Sequence, residues 1–175
     1  METTKDLKPI QGKKRILLFR LLKDASKAKA AKLAFQTEHE VSKTRDSETT
    51  ETKDGAISTG QGLEEEITFS CIIADGDPTY DMLNEAMDEN EILEIWEVNT
   101  SEEQDGQYPG KYRQGIMTEL TETANAEDLM EFEGTYKTNG LAQPGLITLS
   151  QEQKEVVQYA FRDTTEHTGA DEATE

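Results

Sequence analysis

The chain has 175 residues, a formal net charge of −19, a mean hydropathy of −0.77 and 34% hydrophobic residues. This length fits one domain with appendages, and the charge disfavours non-specific DNA binding because nucleic acid is itself an anion. The longest uninterrupted apolar run, Ile16 to Phe19, is far shorter than the roughly 20 residues of a membrane-spanning helix. A single cysteine, Cys71, excludes an intrachain disulfide framework and an all-cysteine metal cluster. We therefore expect a soluble protein of a reducing compartment.

The charge is distributed unevenly along the chain. Residues 1–36 carry ten basic and three acidic side chains, whereas residues 37–175 carry eight basic and 34 acidic ones. Three interpretations stay open: an uneven solvated surface, a basic arm for nucleic acid, or self-complementarity between the basic end of one copy and the acidic face of the next. The third arrangement is heterologous, so it would build rings or filaments instead of two-fold dimers.

Two strands are predicted near the start of the chain. The apolar run in residues 15–22 favours a buried strand, although periodicity alone leaves a helix open there. A second strand is predicted over residues 31–37, with Leu33 and Phe35 on one face. Residues 1–12 precede both strands as a polar N-terminal arm.

The next segment, residues 37–62, holds only three apolar side chains, which is too few for a core. It is also longer than an ordinary connection between elements of a compact domain. Its many threonines favour an extended arm, with a turn at Lys53-Asp54-Gly55. We expect this segment to be disordered or to become ordered against a partner.

The rest of the chain predicts further strands around one helix. Asp77 followed by Pro78 predicts the start of a helix over residues 78–89. Alternating apolar residues predict strands over 67–73, 91–98, 113–123, 130–137 and 146–149, with a loop at 99–112. The total predicts a mainly β protein, an antiparallel β-sandwich or barrel with one flanking α-helix.

The C-terminal region leaves two alternatives open. Ser150 and Gln153 are spaced as the capping box of a short helix, whereas Val157, Tyr159 and Phe161 fit an alternating strand equally well. Residues 163–175 are expected to form a frayed acidic tail.

No motif in the sequence predicts an enzyme. Asp75, Asp77 and Asp81 lack the glycine and glutamate of a calcium-binding loop, and the glycine-rich residues 55–62 are not followed by the lysine of a phosphate-binding loop. The histidines, His39 and His167, are interpreted as surface residues, and Cys71 as a buried thiol. We expect no catalytic residue, no cofactor and no metal.

Three parts of the sequence together resemble a known family. They are the basic strand Lys13-Lys14-Arg15-Ile-Leu-Leu-Phe-Arg20, the stretch Lys32 to His39, and the Ser/Thr-rich arm that carries Ser42-Lys-Thr-Arg45-Asp46 and Thr52-Lys53-Asp54-Gly55. Followed by the strand at Ile67 and a short helix before Trp96, this order resembles the major tail protein, or tail tube protein, of phages with long non-contractile tails that infect Gram-positive bacteria. The likeness spans roughly residues 10 to 165.

The resemblance implies a tail tube β-domain over residues 13–149, an N-terminal arm over 1–12 and a C-terminal arm with the acidic tail over 150–175. It implies stacked hexameric rings that form a hollow conduit for DNA ejection in the virion tail, assembled in the host cytoplasm. Residues 37–62 would then be the inter-ring loop, with contacts expected at Thr37, Glu38, His39, Lys43, Arg45, Asp46, Lys53, Asp54 and Gly55. Basic contacts are expected at Lys13, Lys14 and Arg15.

The partners implied are other copies of the chain, a tape measure protein inside the tube, and tail terminator and distal tail proteins at its ends. Double-stranded DNA would pass through without specific binding, and no membrane is involved. An acidic channel wall would repel phosphates, and Glu131 and Glu133 are candidate channel-facing acids. Alternative interpretations are a terminator or connector ring, a tube-like ring of a secretion system and, less favoured, an enzyme with an unrecognised site.

Overall fold

The computed structural model describes residues 9–151 and residue 153. Among these residues, the strands and the α-helix are β1 Arg15–Leu21, β2 Ala31–Lys32, β3 Gln36–Thr52, β4 Gly55–Ile72, α1 Pro78–Asp88, β5 Leu93–Asn99, β6 Gln107–Thr123, β7 Glu131–Thr138 and β8 Gln143–Thr148. Short 3-10 turns at Gly12–Lys14 and Leu22–Asp24 flank β1. The mainly antiparallel β fold with one helix is confirmed.

The eight strands form one antiparallel sheet in the order β2-β1-β5-β6-β7-β4-β3, with β8 also pairing with β6. The long β6 pairs with β8 along its first half and with β7 along its second half. The sheet curls until β1 and β3 approach each other. There the Gln36 side chain accepts a hydrogen bond from Leu17 N–H at 3.1 Å and donates one to the Leu17 carbonyl at 2.7 Å. The Gln36 amide thus takes the place of a strand partner and closes the sheet into a barrel.

The barrel encloses one main core. Phe69 packs between Phe19 and Phe132, with ring centroids 5.0 Å and 6.1 Å away. The cross-strand position beside Phe69 must be a glycine, because a Cβ on Gly134 would lie 2.6 Å from the Phe69 ring. The buried residues of this core are Leu17, Phe19, Leu21, Leu33, Ile67, Phe69, Cys71, Leu83, Ala86, Leu93, Ile95, Met117, Phe132 and Tyr136, and a second, smaller cluster contains Ile16, Leu18, Val98 and Leu149.

Helix α1 covers one end of the barrel. Its start is set by Asp77, whose carboxylate accepts hydrogen bonds from Thr79 N–H and from Ala34 N–H, both at 2.8 Å. Pro78 occupies the first helical position, which needs no N–H partner. The helix predicted over 78–89 is confirmed as Pro78–Asp88, and Leu83 and Ala86 are its buried apolar residues.

Two predicted elements are wrong. The strand expected over 31–37 is reduced to β2, because Phe35 adopts a left-handed φ of 47° that breaks the alternation, so Leu33 is buried while Phe35 is exposed. The loop expected over 99–112 ends early, because β6 already begins at Gln107 and pairs there with β8.

Two further regions are resolved by the structure. The Ser150–Gln153 capping box is present: Ser150 N–H donates to Gln153 Oε1 at 2.7 Å, and Gln153 N–H donates to Ser150 Oγ at 3.3 Å. The choice between helix and strand over Val157, Tyr159 and Phe161, and the acidic tail, lie outside the described residues. The polar segment 37–62 belongs to the long β3–β4 hairpin, whose turn at Lys53-Asp54-Gly55 is confirmed.

Candidate assembly surfaces

A broad acidic face covers the outer side of β3, β4, β7 and the second half of β6. Cross-strand pairing sets Glu133 beside Ser70 and Thr121, and places Glu38 on the other side of Ser70. In the next row, Thr68 pairs with Glu40 on one side and with Thr135 on the other, and Thr135 pairs with Glu119. The exposed acids of this face, apart from Glu64 at the base of the hairpin's outer part, are Glu38, Glu40, Glu66, Glu119, Glu131 and Glu133.

A β-bulge decides which side chains of β6 reach this acidic face. The register shifts between Met117 and Glu119, so that Met117 opposes Tyr136 in the core and Glu119 opposes Thr135 on the outside. Without the extra residue, Glu119 would point into the core. The strand predicted over 113–123 lies within β6, but its apolar pattern gives no sign of the bulge. Strict alternation cannot reveal an inserted residue.

The acidic face contains hydroxyl and carboxylate groups with little positive charge. On β7, Lys137 is the basic residue that lies on the acidic face, and its Nζ lies 3.1 Å from a carboxylate oxygen of Glu64. The structure therefore places the two candidate channel acids, Glu131 and Glu133, on a shared exposed surface with Glu38, which was expected in the inter-ring loop. A surface of this composition repels phosphate groups.

The outer part of the β3–β4 hairpin, residues 44–64, forms a projecting arm. Its side chains are exposed on both faces, apart from the partly exposed Leu63. Thr49 and Ser58 hydroxyls hydrogen-bond across the strands at 2.9 Å, and Arg45 donates to the Gln61 carbonyl at 3.0 Å. From its base to the turn the arm is about nine residues long, which corresponds to roughly 30 Å. Arg45, Asp46, Lys53, Asp54 and Gly55 lie on this arm.

The first part of the predicted loop instead belongs to the barrel wall. Residues 37–42 pair with β4 over the core, and Val41 packs against it. His39, interpreted from sequence as a surface residue, has a side chain only 13% exposed, with Nε2 4.0 Å from Glu97 Oε1. The surface interpretation is wrong because the alternation of β3 turns His39 inward. Burial lowers the pKa of His39, and the Glu97 carboxylate acts in the opposite direction.

The arm is anchored by an ion cluster inside the barrel. The Arg113 side chain is fully buried; its Nε donates to Glu65 Oε1 at 2.6 Å and its NH1 to Glu97 Oε2 at 3.2 Å. Arg15 donates to Glu97 Oε1 at 2.7 Å. Lys43 Nζ lies 3.5 Å from Glu65 Oε2, an ion pair without a hydrogen bond.

This cluster has clear electrostatic consequences. Burial alone would raise the pKa of Glu97, but the hydrogen bond from Arg15 and the charge of Arg113 hold it below the ordinary value. Sequence reasoning missed Glu65, Glu97 and Arg113. A signal was present, because Glu65 continues the inward series of Ile67 and Glu97 continues the inward series of Leu93 and Ile95.

The basic N-terminal residues separate into two groups. Arg15 is held by Glu97 within its own chain, whereas Lys13 is exposed and Lys14 partly exposed on the 3-10 turn before β1. The Lys14 carbonyl accepts hydrogen bonds from the N–H and the hydroxyl of Thr100 at 2.8 and 2.9 Å, which fixes the turn. Lys13 and Lys14 therefore present charge next to the end of the barrel from which the arm projects.

Three further features of the described residues concern metal ligands, the cysteine and the helices. Within 9–151 and 153, no three His, Cys, Asp or Glu side chains converge on a metal site. Cys71 is buried, and burial raises the pKa of its thiol to about 11, so the thiolate form is disfavoured. None of the helices in this part of the chain could span a membrane.

Comparison with known proteins agrees with this geometry. A model of the phage tail tube protein family matches residues 9–143. A protein of Staphylococcus phage phiMR25 named as a tail protein is 32% identical over 158 residues, which cover 86% of this chain and 81% of that protein.

Solved structures share the fold at low sequence identity. The SPP1 tail tube subunit matches with a TM-score of 0.74 at 17% identity, covering 92% of this chain and 95% of that one. The tail of a gene transfer agent particle matches at 0.60 with 13% identity, covering 77% and 98%. The sheath/tube terminator of an extracellular contractile injection system matches at 0.56 with 14% identity, covering 81% and 99%. The chain belongs to the phage tail tube protein family and is a structural component of the virion tail, not an enzyme.

Proposed function

We propose that copies of this chain close into hexameric rings, and that the rings stack into the hollow tube of a long non-contractile tail. The observation that carries the proposal is the combination of a broad acidic face with a projecting arm whose side chains are exposed on both faces. The fold shared with the SPP1 tail tube and with a gene transfer agent tail of C6 symmetry supports it. Assembly in the host cytoplasm precedes incorporation into the virion.

In this proposal the arm reaches from one ring to the next. An isolated two-stranded ribbon is marginal in water, so contact with a neighbouring ring would stabilise residues 44–64. The predicted inter-ring loop, 37–62, contributes its residues 44–62 to this contact, within a tail tube domain over 13–149, and the arms 1–12 and 150–175 add further contacts. Tape measure, terminator and distal tail proteins would meet the tube at its inside and its ends.

The acidic face lines the channel of the proposed tube. Glu131 and Glu133, with the four glutamates beside them, would repel the DNA phosphates and let the genome pass without binding. Ser and Thr hydroxyls between them would keep the wall hydrated. The side chains of this face are available for such a role because they point away from the apolar core on the opposite side of the same strands.

The arm can be tested directly by electron microscopy of concentrated purified protein. Wild-type protein is expected to form hollow tubes. A variant in which residues 47–60 are replaced by an Asn-Gly turn should keep its thermal stability, because the core is untouched, and should form no tubes. As a control, Gln104→Ala changes a surface loop residue outside the arm. Tubes of normal length from the shortened variant would contradict the role of the arm.

The channel wall can be tested in virions. Glu131→Lys with Glu133→Lys should slow DNA ejection, most strongly at low salt, because unscreened lysines attract phosphates. The matched control, Glu102→Lys with Glu103→Lys, makes the same charge change in the β5–β6 loop, outside the acidic face. Unchanged ejection kinetics at low salt in the first variant would contradict the channel assignment.

A terminator ring is the second candidate, because the fold is also shared with a tube terminator. The two functions differ in one measurement. A terminator should stop as a single ring at high concentration, whereas a tube protein should continue into cylinders. A tube-like ring of a secretion system would also polymerise, and the genes beside this one, tail genes or secretion genes, separate that case.

A further inference from the structure

An exposed apolar patch lies at the end of the barrel covered by α1. We define the end patch as Phe35, Leu129 and Met130, whose side chains are 66%, 68% and 43% exposed. The Phe35 carbonyl accepts a hydrogen bond from Ile72 N–H at 3.2 Å, and the Met130 carbonyl accepts one from Ile73 N–H at 2.9 Å. Ile72 is the last residue of β4 and Ile73 follows it, so Phe35 and Met130 flank the same strand end.

Phe35 is held in this exposed position by its neighbours. Its φ of 47° is left-handed, a conformation that costs a bulky residue free energy and persists only where the surroundings impose it. On one side, Ala34 N–H is bound by the Asp77 carboxylate at 2.8 Å. On the other side, Gln36 is bound to Leu17 through both ends of its amide. The backbone therefore presents an aromatic ring to solvent at a fixed place.

The surroundings of the end patch are acidic. Glu127, Asp128 and Glu131 directly flank Leu129 and Met130, and all three are exposed. The opposite end of the barrel has the complementary character. There Ile10 is 55% exposed, and the exposed Lys13 and partly exposed Lys14 follow it, beside the buried ion cluster. We define Ile10, Lys13 and Lys14 as the basic end.

We propose that the end patch of one copy docks onto the basic end of a second copy, stacked head to tail. The apolar end patch with its acidic rim is complementary to the basic end, where an apolar residue is followed by two lysines. The end patch and the basic end lie at opposite ends of the barrel. Such a contact is heterologous and does not close by two-fold symmetry, so it continues from copy to copy. The inference rests on the proposed stacking and names the surfaces that carry it.

The first test exploits the strain at Phe35. Glycine adopts a positive φ without penalty, so Phe35→Gly should leave the monomer at least as stable in urea denaturation while removing the aromatic ring. The critical concentration for tube formation, measured by sedimentation, should rise at least about tenfold, which corresponds to 1.4 kcal/mol. Leu146→Ser, which changes an exposed leucine of β8 outside the patch, should leave that concentration unchanged.

The second test exchanges the charges. Lys13→Glu with Lys14→Glu, or Glu127→Lys with Asp128→Lys, should each raise the critical concentration, and the chain carrying all four changes should recover most of the loss. If wild type forms tubes but Phe35→Gly or either charge reversal forms them at the wild-type concentration, or if the fourfold variant does not recover, the docking inference is overturned while the tube function stands. If wild type forms no tubes, the proposed function itself fails.

Discussion

The two parts of the β3–β4 hairpin differ in what supports them. In residues 36–43 and 65–72, one side of each strand faces the barrel interior, where Phe69 packs among aromatic rings and Glu65 meets Arg113. In residues 44–64 the same two strands continue with side chains exposed on both faces. Both parts of the hairpin therefore share strand pairing, and they differ in whether their side chains are buried. The lower part is stabilised by packing against the core, whereas the arm is held by strand pairing and surface hydrogen bonds.

The largest expected effect comes from a core aromatic residue. Phe132→Ala removes a fully buried ring that packs against Phe69 and Tyr80, and should lower the free energy of unfolding by about 3–5 kcal/mol. The arm counterpart, Ile57→Ala, should change it by less than about 0.5 kcal/mol, because that side chain is exposed. Urea denaturation followed by Trp96 fluorescence measures both. Similar losses in the two variants would remove the distinction between barrel and arm.

The next effect concerns the buried ion cluster. Arg113→Met leaves the carboxylates of Glu65 and Glu97 without their shared partner inside the barrel, and should cost about 3–5 kcal/mol. Arg45→Met makes the same chemical change in the arm, where water replaces the lost hydrogen bond, and should cost less than about 1 kcal/mol. Denaturation at pH 7 compares them, and an Arg113 variant no less stable than the Arg45 variant would contradict the anchoring role.

A smaller effect is expected at the helix cap. Asp77→Ala removes the carboxylate that accepts from Thr79 and Ala34, and should cost about 1 kcal/mol. Asp54→Ala at the tip of the arm makes the same substitution where the side chain supports no helix, so the melting temperature should stay at the wild-type value. Thermal unfolding measures both variants. A larger decrease for Asp54 than for Asp77 would contradict the assignment.

The smallest effect concerns pH and distinguishes the wall of the barrel from a surface position. Since burial lowers the pKa of His39 in the folded state, the unfolded chain binds a proton first as the pH falls through about 6.5. Stability should therefore decrease from pH 7.5 to pH 5.5, and His39→Gln should reduce that decrease. Between pH 8 and 9 the two proteins should show equal slopes in thermal unfolding. An unchanged slope at acidic pH in the variant would show that His39 is not held by the barrel.

Glu97 adds a second decrease at lower pH. Its folded pKa lies below the ordinary value, so its contribution is complete above about pH 4.3 and is lost as the pH falls further. This acidic limb should persist in His39→Gln, because the Arg15 and Arg113 contacts remain.

Local chemistry predicted much of the fold correctly from the sequence. Asp77-Pro78 determined where α1 begins, Lys53-Asp54-Gly55 determined the turn of the arm, and the strict alternation of Phe132, Gly134 and Tyr136 determined the inward face of β7. The candidate acids Glu131 and Glu133 could be assigned to an exposed face for the same reason. Each of these features depends on residues within a few positions of one another.

The features that the sequence did not predict needed contacts between distant segments. Phe35 interrupts the strand predicted over 31–37 because both of its neighbours are held by distant residues. Ala34 is bound by Asp77, 43 positions away, and Gln36 by Leu17, 19 positions away. The start of β6 depends on pairing with β8, and the side of Glu119 depends on a bulge opposite β7. Local propensity is too weak to decide such cases against long-range packing.

By itself, the sequence determined the class of protein, its polar arm, its acidic body and the start of its helix, because composition, alternation and capping act locally. The tertiary structure alone decided the buried ion cluster, the common acidic face and the exposed Phe35. A charged side chain can be buried only when a partner from another strand neutralises it, and that partner is chosen by the pairing register of the closed sheet.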